Sequence, residues 1–134
     1  MRPIIVVAHG RLASALLATA EMIVDPAPTA RAVDFEVGSS IEDLESRVEA
    51  ALAEASGEGR ALLLVDLAGG SPSRIAAKLA LDADIDVAAG ANLPMLIHAL
   101  TAGEGEDSLD NALAAGSDGV SQYGISRRVS GGLQ

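Results

Sequence analysis

Short runs of consecutive apolar residues alternate along the chain with stretches in which apolar residues recur every three or four positions. The runs predict strands at residues 2–8 and 60–67, because an uninterrupted run of aliphatic residues is typical of a strand buried on both faces. Residues 32–37 and 84–89 are read as two further short strands. Strands that alternate with helices imply right-handed βαβ units. The pattern therefore predicts an α/β fold, with a doubly wound, mainly parallel sheet of four strands and helices on both faces.

The stretches with helical spacing have recognisable starts. They lie at residues 12–24, 41–55, 72–81 and 93–100, and one more begins at residue 109. Ser39 with Glu42 predicts a capping box for the second helix, and Ser71 is expected to be the N-cap of the third, with Pro72 at the first helical position. Asn92 is expected to cap the fourth.

A last alternation of apolar residues, at Tyr123, Ile125 and Val129, predicts a C-terminal strand. Because it follows two helices in succession, this strand need not join the sheet in parallel and is expected as an antiparallel edge strand. An edge that carries Arg127 and Arg128 is equally suited to pairing with a second subunit.

Composition narrows the class of protein. With 134 residues, of which 49% are hydrophobic, the chain is expected to fold as a single domain over residues 1–134. No apolar run is long enough to cross a membrane and the start lacks a signal-peptide pattern, so a cytoplasmic protein is expected. The net charge of −10 would repel a phosphate backbone, which argues against nucleic acid as a partner. The chain has no cysteine and two histidines, so neither a metal site nor a cofactor is expected.

One of the two histidines lies where chemistry is expected. His9 directly follows the first strand and precedes a glycine, and Asp66 ends the third predicted strand. In an open parallel sheet, ligands bind beyond the carboxyl ends of the strands. A carboxylate there can accept the Nδ1 proton of the imidazole and leave Nε2 as a nucleophile. The alternatives are a histidine that only bonds a loop carbonyl and an aspartate that only shapes a turn.

A glycine-rich loop follows Asp66. Gly69, Gly70 and Ser71 precede a predicted helix, so free N–H groups and the positive end of the helix dipole meet there, which suits a phosphate dianion. The loop lacks the lysine of a P-loop and the spacing of the dinucleotide fingerprint. It equally suits a simple turn of the chain.

The combination of His9, Asp66 and Ser71 also raises the possibility of a serine hydrolase. The loop lacks the final glycine of a nucleophile elbow, and Pro72 has no N–H for half of an oxyanion hole. These two features argue against that hypothesis.

The few basic residues near the candidate site are Arg11, Arg74 and Lys78. They are interpreted as partner-docking residues, with solvated side chains as the alternative. His98 lies within a predicted helix, without a comparable setting, and is read as structural or exposed.

Several spaced blocks are similar to one known family. They are Val7-Ala8-His9-Gly10, Ala20-Glu21-Met22, Val65-Asp66 with Gly69-Gly70-Ser71-Pro72, and Asn92-Leu93-Pro94-Met95-Leu96. Together they resemble the enzyme IIA component of the mannose/fructose/sorbose family of the sugar phosphotransferase system. The similarity runs in order to about Val120 and so covers most of the chain.

The resemblance implies a phosphocarrier. By position, His9 would take a phosphoryl group from phospho-HPr and transfer it to a histidine of a IIB protein during sugar uptake, and Asp66 would orient His9. Gly70 and Ser71 would help to hold the phosphoryl oxygens. The resemblance also implies a homodimer that exchanges its C-terminal strand, and contact with the membrane only through IIC and IID components.

The chain departs from the family pattern beside the double glycine. The family commonly has bulky residues flanking the glycines and an asparagine after them, whereas this chain has Ala68, Ser73 and Arg74. These positions would lie on the docking rim. Two alternatives therefore stay open, a regulatory phosphocarrier without its own permease and a non-catalytic module that binds an anion or a partner. The related phosphotransfer subunit of dihydroxyacetone kinase is disfavoured by the Gly-Gly-Ser-Pro block.

Overall fold

The computed structural model of the protein describes residues 1–103 and 105–124. Four strands form one sheet, in the spatial order β2-β1-β3-β4: β1 (Ile4–His9), β2 (Ala30–Phe35), β3 (Ala61–Val65) and β4 (Ile85–Ala89). Each neighbouring pair is parallel. The predicted parallel sheet is confirmed, with strand ends that differ from the sequence-based bounds by up to two residues.

Helices cover both faces of the sheet. They are α1 (Leu12–Ala20), α2 (Ile41–Glu54), α3 (Ser71–Ala80), α4 (Leu93–Thr101) and α5 (Leu109–Asp118). Helices α1, α4 and α5 contribute to one hydrophobic cluster, and α2 and α3 contribute to a second cluster on the opposite face. This two-sided packing confirms the predicted doubly wound α/β fold.

Strand β1 lies inside the sheet and supplies residues to both clusters. Ile4 and Val6 pack on the side of α1 and α4, whereas Ile5 and Val7 pack on the side of α2 and α3. All four side chains are at most 1% exposed. Burying a side chain of this size contributes about 1.5–3 kcal/mol relative to leaving it in water. The strand is therefore held firmly, and with it the residue at its carboxyl end, His9.

Two of the predicted helix starts are wrong by one residue. The N-cap of α2 is Ser40, whose hydroxyl accepts from the N–H of Asp43, so the predicted pair of Ser39 with Glu42 does not form the cap. The N-cap of α3 is Gly70, so Ser71 is the first helical residue and not the cap. The reason for both shifts is backbone conformation, because Ser40 and Gly70 have the extended φ and ψ that a cap requires. The predicted cap of α4 by Asn92 is confirmed.

Helix α1 ends earlier than the sequence pattern predicts. Its last residue is Ala20, and residues 21–24 form turns in which the N–H of Met22 bonds the carbonyl of Thr19. A proline follows at Pro26, and the residue before a proline is disfavoured in the helical conformation. The helical spacing of apolar residues therefore continues for four residues after the helix itself has ended.

The predicted C-terminal strand falls mostly outside the described residues. Ile125, Arg127, Arg128 and Val129 lie beyond residue 124, and Tyr123 is exposed and outside any strand. The antiparallel edge strand and its exchange in a dimer therefore stay predictions. Among the described residues, no helix combines the length and the apolar character that crossing a membrane requires.

A buried arginine covers the end of the sheet at which the strands begin. The side chain of Arg2 is 8% exposed and pairs with the carboxylate of Asp86 at 2.6 Å. Its other N–H groups donate to the carbonyls of Arg60, at 2.8 Å, and of Asp107. Arg60 also pairs with Asp86, at 2.7 Å, from the solvent side. This network joins β1, β4 and the segment before α5 at the edge opposite His9.

Candidate functional site

Two of the predicted residues meet at the carboxyl edge of the sheet. His9 is the last residue of β1, and Asp66 directly follows β3, the neighbouring strand. Their side chains are 2.8 Å apart, measured from Nδ1 of His9 to Oδ2 of Asp66. The expectation that two strand ends bring an imidazole and a carboxylate together is confirmed by this distance.

Asp66 holds His9 through two bonds. The same Oδ2 atom also accepts the backbone N–H of His9, at 3.0 Å, while Oδ1 accepts the N–H of Leu67, at 3.0 Å. An ionised carboxylate only accepts hydrogen bonds, so Nδ1 carries the proton and Nε2 of the neutral ring keeps its lone pair. The imidazole is 45% exposed, whereas the Asp66 side chain is 9% exposed. The buried carboxylate therefore holds the ring in place, and the ring exposes a nucleophilic nitrogen to solvent.

Asp66 is ionised at neutral pH. Partial burial opposes its charge, but the N–H of His9, the imidazole and the N–H of Leu67 together favour the charged form and hold the pKa of Asp66 below its ordinary value. The group that orients His9 therefore stays an acceptor over the whole physiological range.

Gly70 packs directly against the imidazole. A Cβ atom built at this position would lie 2.7 Å from Cε1 of His9 and 3.3 Å from Nε2. The first distance is shorter than a van der Waals contact allows, so a side chain here would require the ring to move. Gly70 is needed for close approach and not for its backbone conformation, since its φ is −85°.

Phe35 completes the packing of the ring. It ends β2, where the register pairs it with His9, and the two ring centroids are 5.9 Å apart in an edge-to-face arrangement. Such aromatic contacts contribute about 0.5–1.5 kcal/mol beyond area burial. Sequence reasoning missed this residue. The signal available was an aromatic side chain at the carboxyl end of a strand adjacent to β1.

One helix near His9 begins without a side-chain acceptor on its first turn, in the part of the chain that the structure describes. In α2 and α4 the N-cap side chains, Ser40 and Asn92, accept a first-turn N–H. In α1 the carboxylate of Asp34 does so, 3.0 Å from the N–H of Ser14. The N-cap of α3 is Gly70, which has no side chain to offer. The positive end of α3 therefore remains available to an anion beside the imidazole.

The loop before α3 is held by the first turn of that helix. The hydroxyl of Ser73 accepts the N–H of Gly69 at 2.8 Å and donates to the carbonyl of Gly70 at 2.9 Å. The guanidinium of Arg74 donates to the carbonyl of Gly69, at 2.9 Å.

The predicted basic residues differ in their settings. Arg74 contacts the loop, whereas Arg11 pairs with Glu36 at 2.9 Å and Lys78 pairs with Glu45 of α2, also at 2.9 Å. The hydrogen bonds and charges of these two carboxylates raise the pKa of Arg11 and of Lys78. Arg11 and Lys78 therefore already have intramolecular partners.

The other predicted residues are placed as follows. Ser71 opens α3 one residue after Gly70, half-buried, and its backbone N–H belongs to the first turn, where no intrahelical acceptor is in reach. Pro72 follows it and has no N–H. His98 is half-buried in α4, with Nε2 3.2 Å from the carbonyl of Glu106. This is the structural setting that was predicted for it.

The imidazole of His9 is exposed at the protein surface. Two concavities of about 330 and 320 Å³ lie at the opposite edge of the sheet, next to Arg2 and Glu58. Within residues 1–103 and 105–124, no group of three or more His, Asp and Glu side chains is arranged to hold a metal ion. The site as it stands offers an imidazole, a carboxylate and a helix N-terminus on a surface that another protein can reach.

Comparison with known proteins gives a consistent result. The family model EIIA-man, described as the PTS system fructose IIA component, matches residues 3–115. The chain is 35% identical over 122 residues to the PTS system mannose-specific EIIAB component of Escherichia coli (strain K12), a match that covers 87% of this chain and 38% of that protein. It is 36% identical over 102 residues to the PTS system fructose-specific EIIA component of Bacillus subtilis (strain 168), covering 75% and 70% of the two chains.

Solved structures show the same likeness in three dimensions. The phosphotransferase system component EIIA from Streptococcus agalactiae superposes with a TM-score of 0.81 at 28% identity, over 91% of this chain and 97% of that one. The mannose/sorbose-specific IIA subunit from Enterococcus faecalis gives a TM-score of 0.78 at 29% identity, over 95% and 98% of the chains. The chain spans 38% of the length of the Escherichia coli relative, which is the longer protein.

Proposed function

This chain belongs to the EIIA-man family, the IIA components of the sugar phosphotransferase system, and from that premise we propose that His9 is its phosphorylated residue. In this proposal the chain is a protein-histidine phosphotransferase that accepts a phosphoryl group from phospho-HPr and passes it to a histidine of a IIB protein for sugar uptake. The observation that carries the proposal is the 2.8 Å bond between Nδ1 of His9 and Oδ2 of Asp66.

That bond assigns the two ring nitrogens to different tasks. Nδ1 keeps its proton, which forms the hydrogen bond to Asp66. Nε2 attacks the phosphorus atom in line with the nitrogen–phosphorus bond of the donor. As that bond breaks, its electron pair returns to the donor imidazole and the phosphoryl group is bonded to Nε2. Delivery to IIB reverses these steps with a different imidazole. Asp66 stabilises the positive charge that develops on the His9 ring during attack.

The start of α3 supports the same assignment. Gly70 lies against the ring on the Nε2 side, and the N–H groups of Ser71 and Ser73 belong to the open first turn. A phosphoryl group on Nε2 would therefore be placed beside backbone donors and the positive end of a helix. Transfer of this kind needs position and electrostatics more than covalent chemistry from the protein.

The exposure of the imidazole supports a protein as donor and acceptor. The ring is 45% exposed, and Leu12, three residues after His9, and Leu67, directly after Asp66, are 45% and 51% exposed. An exposed reactive nitrogen on a segment with exposed leucines suits docking of a second protein surface better than capture of a small sugar. The site would meet the membrane components only through IIB, so the proposed place of action is the cytoplasm.

The test is labelling from phosphoenolpyruvate with enzyme I and HPr. Wild type should take up one acid-labile, base-stable phosphoryl group per chain, His9→Ala should take up none, and added IIB protein should discharge the label. His98→Ala is the matched control, because it removes the other histidine and should label at the wild-type rate. Label that persists in His9→Ala would reject the assignment, and label that no IIB protein discharges would favour a regulatory carrier.

A further inference from the structure

The hydroxyl of Ser73 is the shared partner of two consecutive glycines. It accepts the N–H of Gly69 at 2.8 Å and donates to the carbonyl of Gly70 at 2.9 Å. One side-chain atom thus fixes the peptide groups on both sides of the Gly69–Gly70 bond. The donor and the acceptor lie on the loop, whereas the hydroxyl belongs to the rigid first turn of α3.

The conformation of this loop depends on such a restraint. Gly69 has a φ of +91°, in the region that favours glycine, and both glycines have wide backbone freedom in the absence of contacts. The side of Gly69 is open, with nothing within 4 Å of an ideal Cβ. No contact is made at the Cβ position of Gly69, and the restraints that the structure shows on this residue are the hydrogen bonds with Ser73 and Arg74.

The restrained loop is the surface on which the imidazole rests. Gly70 approaches Cε1 and Nε2 of His9 more closely than any other type of residue would allow. On the other side, Asp66 holds Nδ1 and Phe35 contacts the ring edge. A shift of Gly70 would remove the support on the Cε1 side of the ring and let Nε2 move off the line of attack, and a misplacement of about 1 Å can cost on the order of a hundredfold in rate.

We propose that Ser73 is a positioning residue for phosphoryl transfer, which acts by holding Gly69 and Gly70 against the imidazole of His9. The proposal rests on the proposed function of His9. It assigns no contact between Ser73 and the phosphoryl group. Arg74 restrains the same loop independently, since its backbone N–H bonds the carbonyl of Gly70 at 3.1 Å and its guanidinium bonds the carbonyl of Gly69 at 2.9 Å.

The experiment compares Ser73→Ala, which removes both hydrogen bonds, with Ser73→Thr, which keeps the hydroxyl. Single-turnover transfer from phospho-HPr is measured over a range of concentrations of this chain, in excess over phospho-HPr. The plateau rate is thereby separated from the half-saturating concentration. For Ser73→Ala we expect a plateau lowered about fivefold or more, with half-saturation changed less than about twofold. Ser73→Thr should restore the plateau. Ser108→Ala is the matched control, because Ser108 likewise bonds a first-turn N–H, of Asn111, but at the start of α5.

The Gly69 amide of the wild type gives a second readout, which does not depend on any variant folding. It should exchange with solvent at least about tenfold more slowly than a free amide. In folded Ser73→Ala, the Cε1–H resonance of His9 should also shift. A folded Ser73→Ala with the wild-type plateau would overturn the inference, as would an unprotected Gly69 amide in the wild type. Failure of the wild type to take up label at all would instead overturn the proposed function, and the inference with it.

Discussion

A single carboxylate oxygen of Asp66 accepts both the backbone N–H of His9, at 3.0 Å, and its ring Nδ1–H, at 2.8 Å. The backbone bond fixes the carboxylate relative to the end of β1, and the ring bond then fixes the imidazole relative to the carboxylate. Rotation of the ring is therefore restrained by the same strand that carries it. The arrangement exists before any phosphoryl group arrives, so little reorganisation is required during transfer.

The first prediction concerns that oxygen. Asp66→Asn keeps the shape of the side chain but replaces the charge and can place an N–H opposite Nδ1, which favours the wrong tautomer. We expect labelling of His9 to slow by on the order of a hundredfold or more, since loss of an orienting aspartate in comparable sites costs up to about 10⁴-fold. The measurement is the initial rate of label uptake from phospho-HPr. A variant that folds as judged by circular dichroism and labels at the wild-type rate would show that Asp66 does not orient His9.

The second prediction separates two adjacent glycines. Gly70→Ala would place a Cβ 2.7 Å from Cε1 of His9 without straining a left-handed backbone, so labelling should fall by about tenfold or more with little loss of stability. Gly69→Ala meets no atom within 4 Å but has a φ of +91°, so it should cost about 1 kcal/mol of stability. Label uptake and urea unfolding of both variants give the comparison. Equal activity of Gly70→Ala and the wild type would contradict the close packing.

The strand-end rule was sufficient to predict His9 and Asp66 as neighbours. Both follow continuous apolar runs, and parallel strands bring their carboxyl ends to one edge whatever the register. Phe35 could not be placed in this way, because its contact depends on the pairing of His9 with Phe35 between β1 and β2. Apolar runs buried on both faces carry no alternation that would fix such a register.

The helix starts show a second limit. A shift of one residue separates the predicted cap at Ser71 from the observed cap at Gly70. That shift brings Ser73 to the third helical position, from which its hydroxyl reaches back to the loop. The sequence pattern predicts Ser39 and Ser71 as caps, whereas the observed caps are the neighbouring residues Ser40 and Gly70, and the backbone dihedral angles make the difference.

The third prediction addresses the opposite edge of the sheet. Arg2→Met keeps much of the apolar part of the side chain but removes the donors that Arg2 offers to Asp86 and to the carbonyls of Arg60 and Asp107. Removing one partner of a buried pair typically costs about 3–5 kcal/mol, and since Arg60 still faces Asp86 we expect about 3 kcal/mol. Denaturant unfolding measures it. Arg60→Met is the control, because its side chain is 53% exposed and a smaller loss is expected.

The Arg2→Met variant also tests whether this network affects the labelling of His9. Arg2 lies at the far end of β1 from His9, so Arg2→Met should label with phosphoryl groups at the wild-type rate under conditions in which it is folded. Loss of labelling at a temperature well below its unfolding midpoint would show that the edge network is coupled to the site.

The fourth prediction concerns acid. Burial opposes the charge of Asp86, but hydrogen bonds from Arg60 and Arg2 hold its pKa below the ordinary value of 3.8. A group whose pKa is lower in the folded state stabilises the protein above its unfolded value and loses that contribution as the pH falls through the folded value. The wild type should therefore lose stability below about pH 4. Asp86→Asn should be less stable at neutral pH and should lose less on acidification, in urea titrations from pH 7 to pH 3. Parallel curves for the two proteins would contradict this.

The carboxylate of Asp34 on the first turn of α1 has one more consequence. Two helices begin within reach of His9, and Asp34 neutralises the positive end of α1 while that of α3 stays uncovered. The helix start on the β2 side of the imidazole is therefore paired with a carboxylate, whereas the helix start on the β3 side has no such partner among the described residues. The site has a direction as well as a position. In the proposed function, a phosphoryl group on Nε2 is therefore better placed on the α3 side of the ring, where backbone N–H groups are free of side-chain acceptors, than on the α1 side, where Asp34 would repel it.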